Sequence, residues 1–266
     1  MEGIDGEVIV VDNASVDRTP QLVKLHFPEV ILISNSDNKG FSKANNQGIS
    51  IGRGEYILLL NPDTIVSENT FSTCIDFMEG HSDAGAVGVK MIDGSGKFLP
   101  ESKRGLPTLR ASFMKMTGLY RLAPRSATWN SYYEGQVNEN ETAKIHVLTG
   151  AFMFMRKSAL HKAGVLDESF FMYGEDIDLS YRIAKAGYAI YYLPATHLVH
   201  KLKADRPLYN TRPIARQRRQ PLQLLVPLKY ESGDQTEVIS DRHWVLLPGN
   251  RKVAMAKQNL VRSQTG

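Results

Sequence analysis

Carboxylates that directly follow apolar runs are the residues of this chain best placed to do chemistry. Asp63 comes just after the apolar run 56–60, in the sequence Asn61-Pro62-Asp63. A carboxylate there can bind a divalent cation that also coordinates a diphosphate, because Mg2+ and Mn2+ prefer hard oxygen ligands. An aspartate that caps a turn after proline is the alternative, and Asp63 alone does not separate the two.

A second acidic pair, Glu175 and Asp176, follows the aromatic segment 170–174 and begins a helical pattern. Acidic residues at a helix start are stabilised by free backbone N–H groups and by the helix dipole, which is the structural interpretation. The apolar neighbourhood favours a second interpretation, a carboxylate held in a dry place to deprotonate a sugar hydroxyl.

Weaker signals come from a third group of polar residues. Asp12 follows the apolar run 7–11 and could bind a nucleobase or ribose, or cap the next helix. Asn45 is a poor helix former within a predicted helix, a conflict often tolerated for packing or ligand contact. His197 and His200 end a strand, where one could bind metal or phosphate, although a lone histidine is more often structural.

Alternating strands and helices position these residues. Apolar runs predict strands at 7–11, 30–33, 56–60, 86–92 and 188–193, and a strand pair within 144–155. Helical patterns begin near residues 19, 41, 68, 158 and 175, and one further helix is expected within 102–142. The inner face of the first helix is expected to carry Leu22, Val23 and Leu25. This alternation predicts an α/β fold with a doubly wound, mostly parallel sheet, whose ligands lie beyond the carboxyl ends of the strands.

Composition limits the remaining possibilities. The chain has 266 residues, 42% of them apolar, and a net charge of +4, which suits one α/β domain with extensions and does not indicate nucleic-acid binding. A single cysteine, Cys74, excludes an internal disulfide and fits a reducing cytoplasm.

No apolar run is long enough to span a bilayer. The basic run 212–219, followed by apolar residues 222–226, is either a solvated tail or a peripheral contact with the inner face of the membrane. The chain lacks a Gly-x-Gly-x-x-Gly turn and a phosphate-binding Gly-Lys-Ser/Thr loop, which disfavours dehydrogenases and NTPases.

Five ordered stretches together resemble the family 2 glycosyltransferases of the GT-A fold, and within them the bacterial rhamnosyltransferase-like members. They are Val-Ile-Val-Val-Asp-Asn-Ala-Ser (8–15), Asn-Lys-Gly-Phe-Ser-Lys-Ala-Asn-Asn-Gln-Gly (38–48), Leu-Leu-Leu-Asn-Pro-Asp-Thr (58–64), Leu-Thr-Gly-Ala-Phe-Met (148–153) and the segment 170–182. The resemblance covers residues 4–200.

The resemblance implies a role for each matching residue. A Mg2+ or Mn2+ ion would be held by Asp63, with Asn61 replacing the first acid of the Asp-x-Asp motif, and His200 resembles a late metal or diphosphate ligand. Asp176 resembles the general base of an inverting displacement, and Glu175 its companion. Gly150 would lie beside the acceptor. The expected nucleotide pocket consists of Asp12, Asn13, Asn38, Gly40, Asn45 and Asn61.

The resemblance also implies substrates and a domain layout. A dTDP- or UDP-linked sugar, with rhamnose as the candidate, would pass to a glycan or lipid-linked acceptor. Residues 1–200 would form the GT-A domain, with a donor half at about 1–100 and an acceptor half at about 101–200.

The two ends of the chain depart from the family pattern. The family's first strand has no counterpart here, so that two strands are expected to present unpaired edges. Residues 201–266 are expected to form an atypical C-terminal extension without a compact core. The missing strand leaves open an inactive nucleotide-sugar-binding remnant. A nucleotidyltransferase is a second alternative, because it also uses an α/β sheet and a metal-binding Asp.

Overall fold

The computed structural model describes residues 4–200, 222–230, 245–247 and 251–253. The strands are β1 (Ile4–Gly6), β2 (Ile9–Asn13), β3 (Ile31–Asn35), β4 (Tyr56–Leu60), β5 (Thr64–Val66), β6 (Ala84–Ile92), β7 (Ala143–Lys144), β8 (Phe152–Arg156), β9 (Ala189–His200), β10 (Leu222–Tyr230), β11 (Val245–Leu247) and β12 (Arg251–Val253). The α-helices are α1 (Thr19–His26), α2 (Phe41–Ile51), α3 (Thr70–Gly80), α4 (Leu109–Thr117), α5 (Lys157–Ala163) and α6 (Glu175–Lys185). Short 3-10 helices cover Pro100–Ser102, Leu119–Leu122 and Ser131–Tyr133.

One mixed sheet forms the centre of the fold, in the order β3-β2-β10-β4-β8-β6-β9-β5. Strands β2 and β3 are parallel, as are β6 and β9, whereas β8 runs antiparallel to both β4 and β6. The carboxyl ends of β2, β3, β4, β6 and β9 consequently lie at the same edge of the sheet. This confirms the α/β prediction and places Asp12, Asp63 and His200 at the edge where ligands bind in such sheets.

Strand β10 lies in the middle of this sheet, antiparallel to both of its neighbours. Leu224 is opposite Val10 of β2 and Leu60 of β4. The expectation of two unpaired edges is therefore wrong, because residues 222–230 supply the backbone groups that pair with β2 and β4. The apolar residues 222–226 thus belong to the sheet, and the basic run 212–219 lies outside the described residues.

Two apolar layers cover the sheet. Alternate residues of β4 point to opposite faces, so that Leu58 joins the layer under α3 and Leu59 joins the layer under α2 and α6. Cys74 of α3 is fully buried as a free thiol. Among the described helices, none is long and apolar enough to cross a membrane.

Two local predictions are wrong. Leu22 and Leu25 of α1 are exposed rather than internal, and α1 buries none of its residues. This helix packs beside β3, the edge strand, beyond which the sheet offers no further surface. The strands predicted within 144–155 form as β7 and β8, but they do not pair with each other: β7 pairs with β9, and β8 lies between β4 and β6.

Candidate active site

The end of β2 places Asp12 and Asn13 at the ligand edge. Asp12 is 2% exposed, and both of its carboxylate oxygens lie 3.3 Å from the backbone N of Ser15. The turn between them contains Ala14 at φ 63°, a left-handed conformation that is uncommon for a residue with a side chain. Such strain is found most often at functional sites, where the surrounding structure maintains it.

Asn13 binds the loop between β3 and α2. Its Nδ2 donates to Asn38 Oδ1 at 2.8 Å and to the carbonyl of Gly40 at 3.2 Å, and its Oδ1 accepts from the N–H of Lys39 at 3.0 Å. Three of the residues predicted for the nucleotide pocket, Asn13, Asn38 and Gly40, are thereby brought together. The side-chain amides of Asn13 and Asn38 shape this loop through these bonds and the bond from the N–H of Gly40 to Asn38 Oδ1. Asn45 donates to the carbonyl of Phe41 at 2.9 Å within α2.

Gly40 joins this loop to the segment that precedes α6. The N–H of Phe41 donates to the carbonyl of Phe171 at 2.8 Å. Gly40 has φ 84°, and a Cβ at this position would lie 2.7 Å from the carbonyl oxygen of Phe171. Glycine is therefore required both by the backbone conformation and by the close approach.

The two residues predicted for the metal site, Asp63 and His200, lie close together. Asp63 Oδ1 lies 3.6 Å from His200 Nε2, because Thr64 pairs with His200 where β5 meets β9. Asn61 Oδ1 is buried without a hydrogen-bond partner, an oxygen acceptor left unpaired in the same loop. Carboxylate, imidazole and amide oxygen suit a cation such as Mn2+ that also takes ligands from a diphosphate. The described residues contain no cluster of three or more His, Cys, Asp or Glu side chains, so a bound cation would need oxygens from elsewhere.

Asp176, the predicted base, is held at the start of α6 by three donors. Its Oδ2 accepts from the N–H of Gly150 at 3.1 Å and from Nη2 of Arg104, and its Oδ1 accepts from the N–H of Ile177 at 2.8 Å. A carboxylate oxygen has two acceptor positions, so Oδ2 is fully used and Oδ1 keeps one position free of these donors. A proton from an acceptor hydroxyl would therefore go to Oδ1.

Glu175 differs from its neighbour. It is 5% exposed, and its Oε2 has no hydrogen-bond partner. Burial, together with the charge of Asp176, raises the pKa of Glu175, while backbone hydrogen bonds and the charge of Arg104 oppose this rise. The preceding Tyr173 and Gly174 have φ 71° and 101°, a second strained turn at a predicted site.

Arg104 contacts the predicted base, but the sequence analysis gave it no role. Its Nη2 donates to both Asp176 and the carbonyl of Leu148, and the side chains of the ion pair are only 12% and 13% exposed. Burial is the largest single influence and works to lower the pKa of Arg104, but the charge and hydrogen bond of Asp176, together with Tyr132, outweigh it, so the pKa is raised. The available signal was its position at the start of a basic stretch without acids, which did not indicate the partner 72 residues away.

Residues 150 and 151 connect the loop 61–63 with Asp176. The N–H of Asn61 donates to the carbonyl of Ala151 at 3.0 Å, and the N–H of Gly150 donates to Asp176. A Cβ at Gly150 would lie 3.3 Å from the ring of Phe41 and 3.9 Å from Asp176 Cβ. Three of the stretches that carry the family resemblance therefore converge on the fourth, 148–153.

The chain belongs to glycosyl transferase family 2, whose model matches residues 3–164, more than half of its length. It is 28% identical over 204 residues to the N-acetylglucosaminyl-diphospho-decaprenol L-rhamnosyltransferase of Mycobacterium tuberculosis, covering 73% of this chain and 66% of that protein. It is also 28% identical over 176 residues to the rhamnosyltransferase WbbL of Escherichia coli K12, covering 62% of each. The chain thus spans a little under two thirds of these relatives.

A solved structure supports the same architecture. The crystal structure of GalNAc-T7 with UDP, GalNAc and Mn2+ superposes with a TM-score of 0.53 at 15% identity, covering 75% of this chain and 38% of that one. At this identity the likeness establishes the fold alone. The resemblance to rhamnosyltransferase-like members of family 2 and the GT-A fold are both confirmed.

Proposed function

We propose that this chain is an inverting, metal-dependent glycosyltransferase that moves a sugar from a nucleoside-diphosphate donor to a glycan or lipid-linked acceptor. The observation that carries the proposal is the hydrogen-bonded connection of the Asn61–Asp63 loop to Asp176 through Gly150 and Ala151. Diphosphate binding and proton removal must occur within one sugar ring of each other in a direct displacement, and this connection holds the two groups in a fixed relation.

The proposed chemistry assigns a task to each group. Asp63 and His200 would hold a Mg2+ or Mn2+ ion, which would offset the charge of the departing nucleoside diphosphate. Asp176 takes the proton of the acceptor hydroxyl on Oδ1 as that oxygen attacks the anomeric carbon. Arg104 keeps Oδ2 fixed, so that the carboxylate presents Oδ1 to the acceptor. Asp12 and the loop shaped by Asn13 and Asn38 line the pocket for the nucleobase and ribose of the donor.

The relatives support the substrate class. Both matched bacterial relatives are named as L-rhamnosyltransferases or rhamnosyltransferases, and the mycobacterial one acts on a decaprenol-diphosphate acceptor by its name. A dTDP-linked deoxysugar is therefore the first donor to test, and a UDP-linked hexose the second. The preserved carboxylates and their hydrogen bonds disfavour an inactive binding remnant.

Thermal unfolding with Mn2+ and either dTDP or UDP tests donor binding. A ligand at 100 times its Kd stabilises the native state by about 2.7 kcal/mol, and the preferred base should give the larger rise. Asp63→Ala should abolish the metal-dependent part of this rise, whereas Asp93→Ala, in an exposed turn of the same chain, should leave it intact. A rise that is equal in Asp63→Ala would contradict the assigned metal site.

Analysis of the reaction products tests the alternative reaction. Release of pyrophosphate instead of a nucleoside diphosphate would favour nucleotidyl transfer.

A further inference from the structure

Helix α4 is well formed but almost unpacked. Thr108 Oγ1 accepts from the N–H of Ala111 at 3.2 Å, and Gly118 ends the helix at φ 75°. Only Ala111 is buried among its residues. The apolar residues Leu109, Phe113 and Met116 are 93%, 52% and 68% exposed, and their spacing places them on one face of the helix.

Further exposed apolar residues follow the helix along the chain, and the charged residues of this stretch are all basic. Leu122 and Trp129 are 74% and 40% exposed. Between residues 102 and 133 the chain has six Lys or Arg residues and no Asp or Glu. Two of the six form internal hydrogen bonds: Lys103 donates to the carbonyls of Tyr133 and Glu134, and Arg104 binds Asp176. Lys115 is exposed but lies 3.7 Å above the ring of Tyr132.

The four remaining basic residues of this stretch are exposed: Arg110, Lys115, Arg121 and Arg125. We define the α4 surface as these four residues together with the exposed apolar side chains of 109–129. Exposed apolar groups bordered by Lys and Arg are typical of segments that lie at the boundary between lipid headgroups and acyl chains. Anionic lipids attract such basic residues, each by about fivefold in partitioning.

The α4 surface begins five residues after Arg104, the ion-pair partner of Asp176. We propose that the α4 surface docks on an anionic membrane and thereby brings Asp176 to acceptors that are embedded in it. This inference rests on the proposed function for its purpose, since a lipid-linked acceptor is available only at a membrane surface. A second copy of the chain is a poorer occupant, because two α4 surfaces would bring like charges together.

Sedimentation with vesicles tests the proposal. We expect the full chain to bind vesicles of phosphatidylcholine and phosphatidylglycerol at least tenfold more strongly than vesicles of phosphatidylcholine alone. The triple change Leu109→Gln, Phe113→Gln and Met116→Gln should weaken this binding at least tenfold. The matched control, Leu22→Gln with Leu25→Gln, removes exposed apolar residues from α1 and should change it less than twofold.

A second pair of variants tests the charge. Arg110→Gln with Arg125→Gln should lower binding to the anionic vesicles by about 25-fold, the product of two fivefold effects. Arg18→Gln with Lys24→Gln removes the same net charge at exposed positions of α1 and its N-cap, and should have a much smaller effect. Equal binding to neutral and anionic vesicles, or binding unchanged by the α4 variants, would overturn the proposal.

Two further measurements distinguish membrane docking from self-association and from a failure of the nucleotide site. Light scattering that finds a dimer, dissociated by the triple change while vesicle binding persists, would show that α4 is a self-association surface and overturn membrane docking. The thermal shift with Mn2+ and nucleotide should be the same in the triple variant as in the unchanged chain. If vesicle binding follows the α4 variants but no nucleotide stabilises the chain, the proposed function fails while the docking surface stands.

Discussion

The ion pair between Arg104 and Asp176 gives the most quantitative prediction. Both side chains are almost buried, at 12% and 13% exposure, so neither charge is well solvated without the other. Arg104→Met keeps much of the side-chain length but leaves the carboxylate of Asp176 without its cation. Breaking a buried pair from one side costs about 3–5 kcal/mol, because an uncompensated charge stays in a poorly solvated place. At about 2–4 °C per kcal/mol, the midpoint of thermal unfolding should fall by about 6–20 °C.

A double-mutant cycle distinguishes this cause from simple loss of packing. In Arg104→Met with Asp176→Asn, no orphaned charge remains, so the double variant should be more stable than the sum of the single effects by about 0.5–3 kcal/mol. Lys144→Met is the control, since its ion pair with Asp83 is exposed to solvent and should matter far less. Denaturant unfolding at neutral pH measures all four variants. Additive single effects, or an Arg104→Met variant as stable as the parent, would refute the assignment.

The remaining predictions concern the glycine contact, the buried glutamate and the central strand. Gly40→Ala should be destabilised by about 1–3 kcal/mol more than Gly96→Ala, because both glycines have φ 84° but only Gly40 has a close neighbour; urea unfolding compares them. Glu175→Gln should gain stability over the parent as pH rises above about 4.3, because the raised pKa of Glu175 means that the folded parent loses stability when this group ionises. The unfolding midpoint of Glu175→Gln relative to that of the parent should therefore be higher at pH 8 than at pH 5. The same difference at both pH values would contradict the burial argument. Leu225→Pro should be less stable than Leu225→Ala by at least about 1 kcal/mol, because proline removes a backbone donor from a strand that is paired on both sides. Equal unfolding midpoints of the two variants would count against this pairing.

Local pattern predicted most of the elements before residue 200. The start of α2 and both bounds of β4 agree with the prediction, because each is defined by a nearby turn and a consistent apolar period. The meeting of Asp63 with His200 followed from the family resemblance. It also follows from topology, since parallel strands bring their carboxyl ends to one edge.

Long-range pairing accounts for what the sequence did not reveal. Strand β10 contains Pro227, which argues against a central strand, and its partners lie more than 160 residues away in β2 and β4. The contact of Arg104 with Asp176 likewise joins a loop to a helix start, and no local period encodes it. The exposure of Leu22 and Leu25 depends on α1 lying beside an edge strand, which its own apolar pattern does not reveal.

An assay of sugar transfer tests whether Asp176 and the Asp63 loop act together in one displacement reaction. The chain would be incubated with Mn2+, a dTDP-linked deoxysugar or a UDP-linked hexose, and a prenyl-diphosphate-linked sugar acceptor, and the products separated. We expect release of a nucleoside diphosphate and a product with inverted anomeric configuration. Asp176→Asn should lower the rate by about 10²–10⁴-fold while the thermal shift with Mn2+ and nucleotide persists. Retained configuration, release of pyrophosphate, or an undiminished rate in Asp176→Asn would contradict the proposed mechanism.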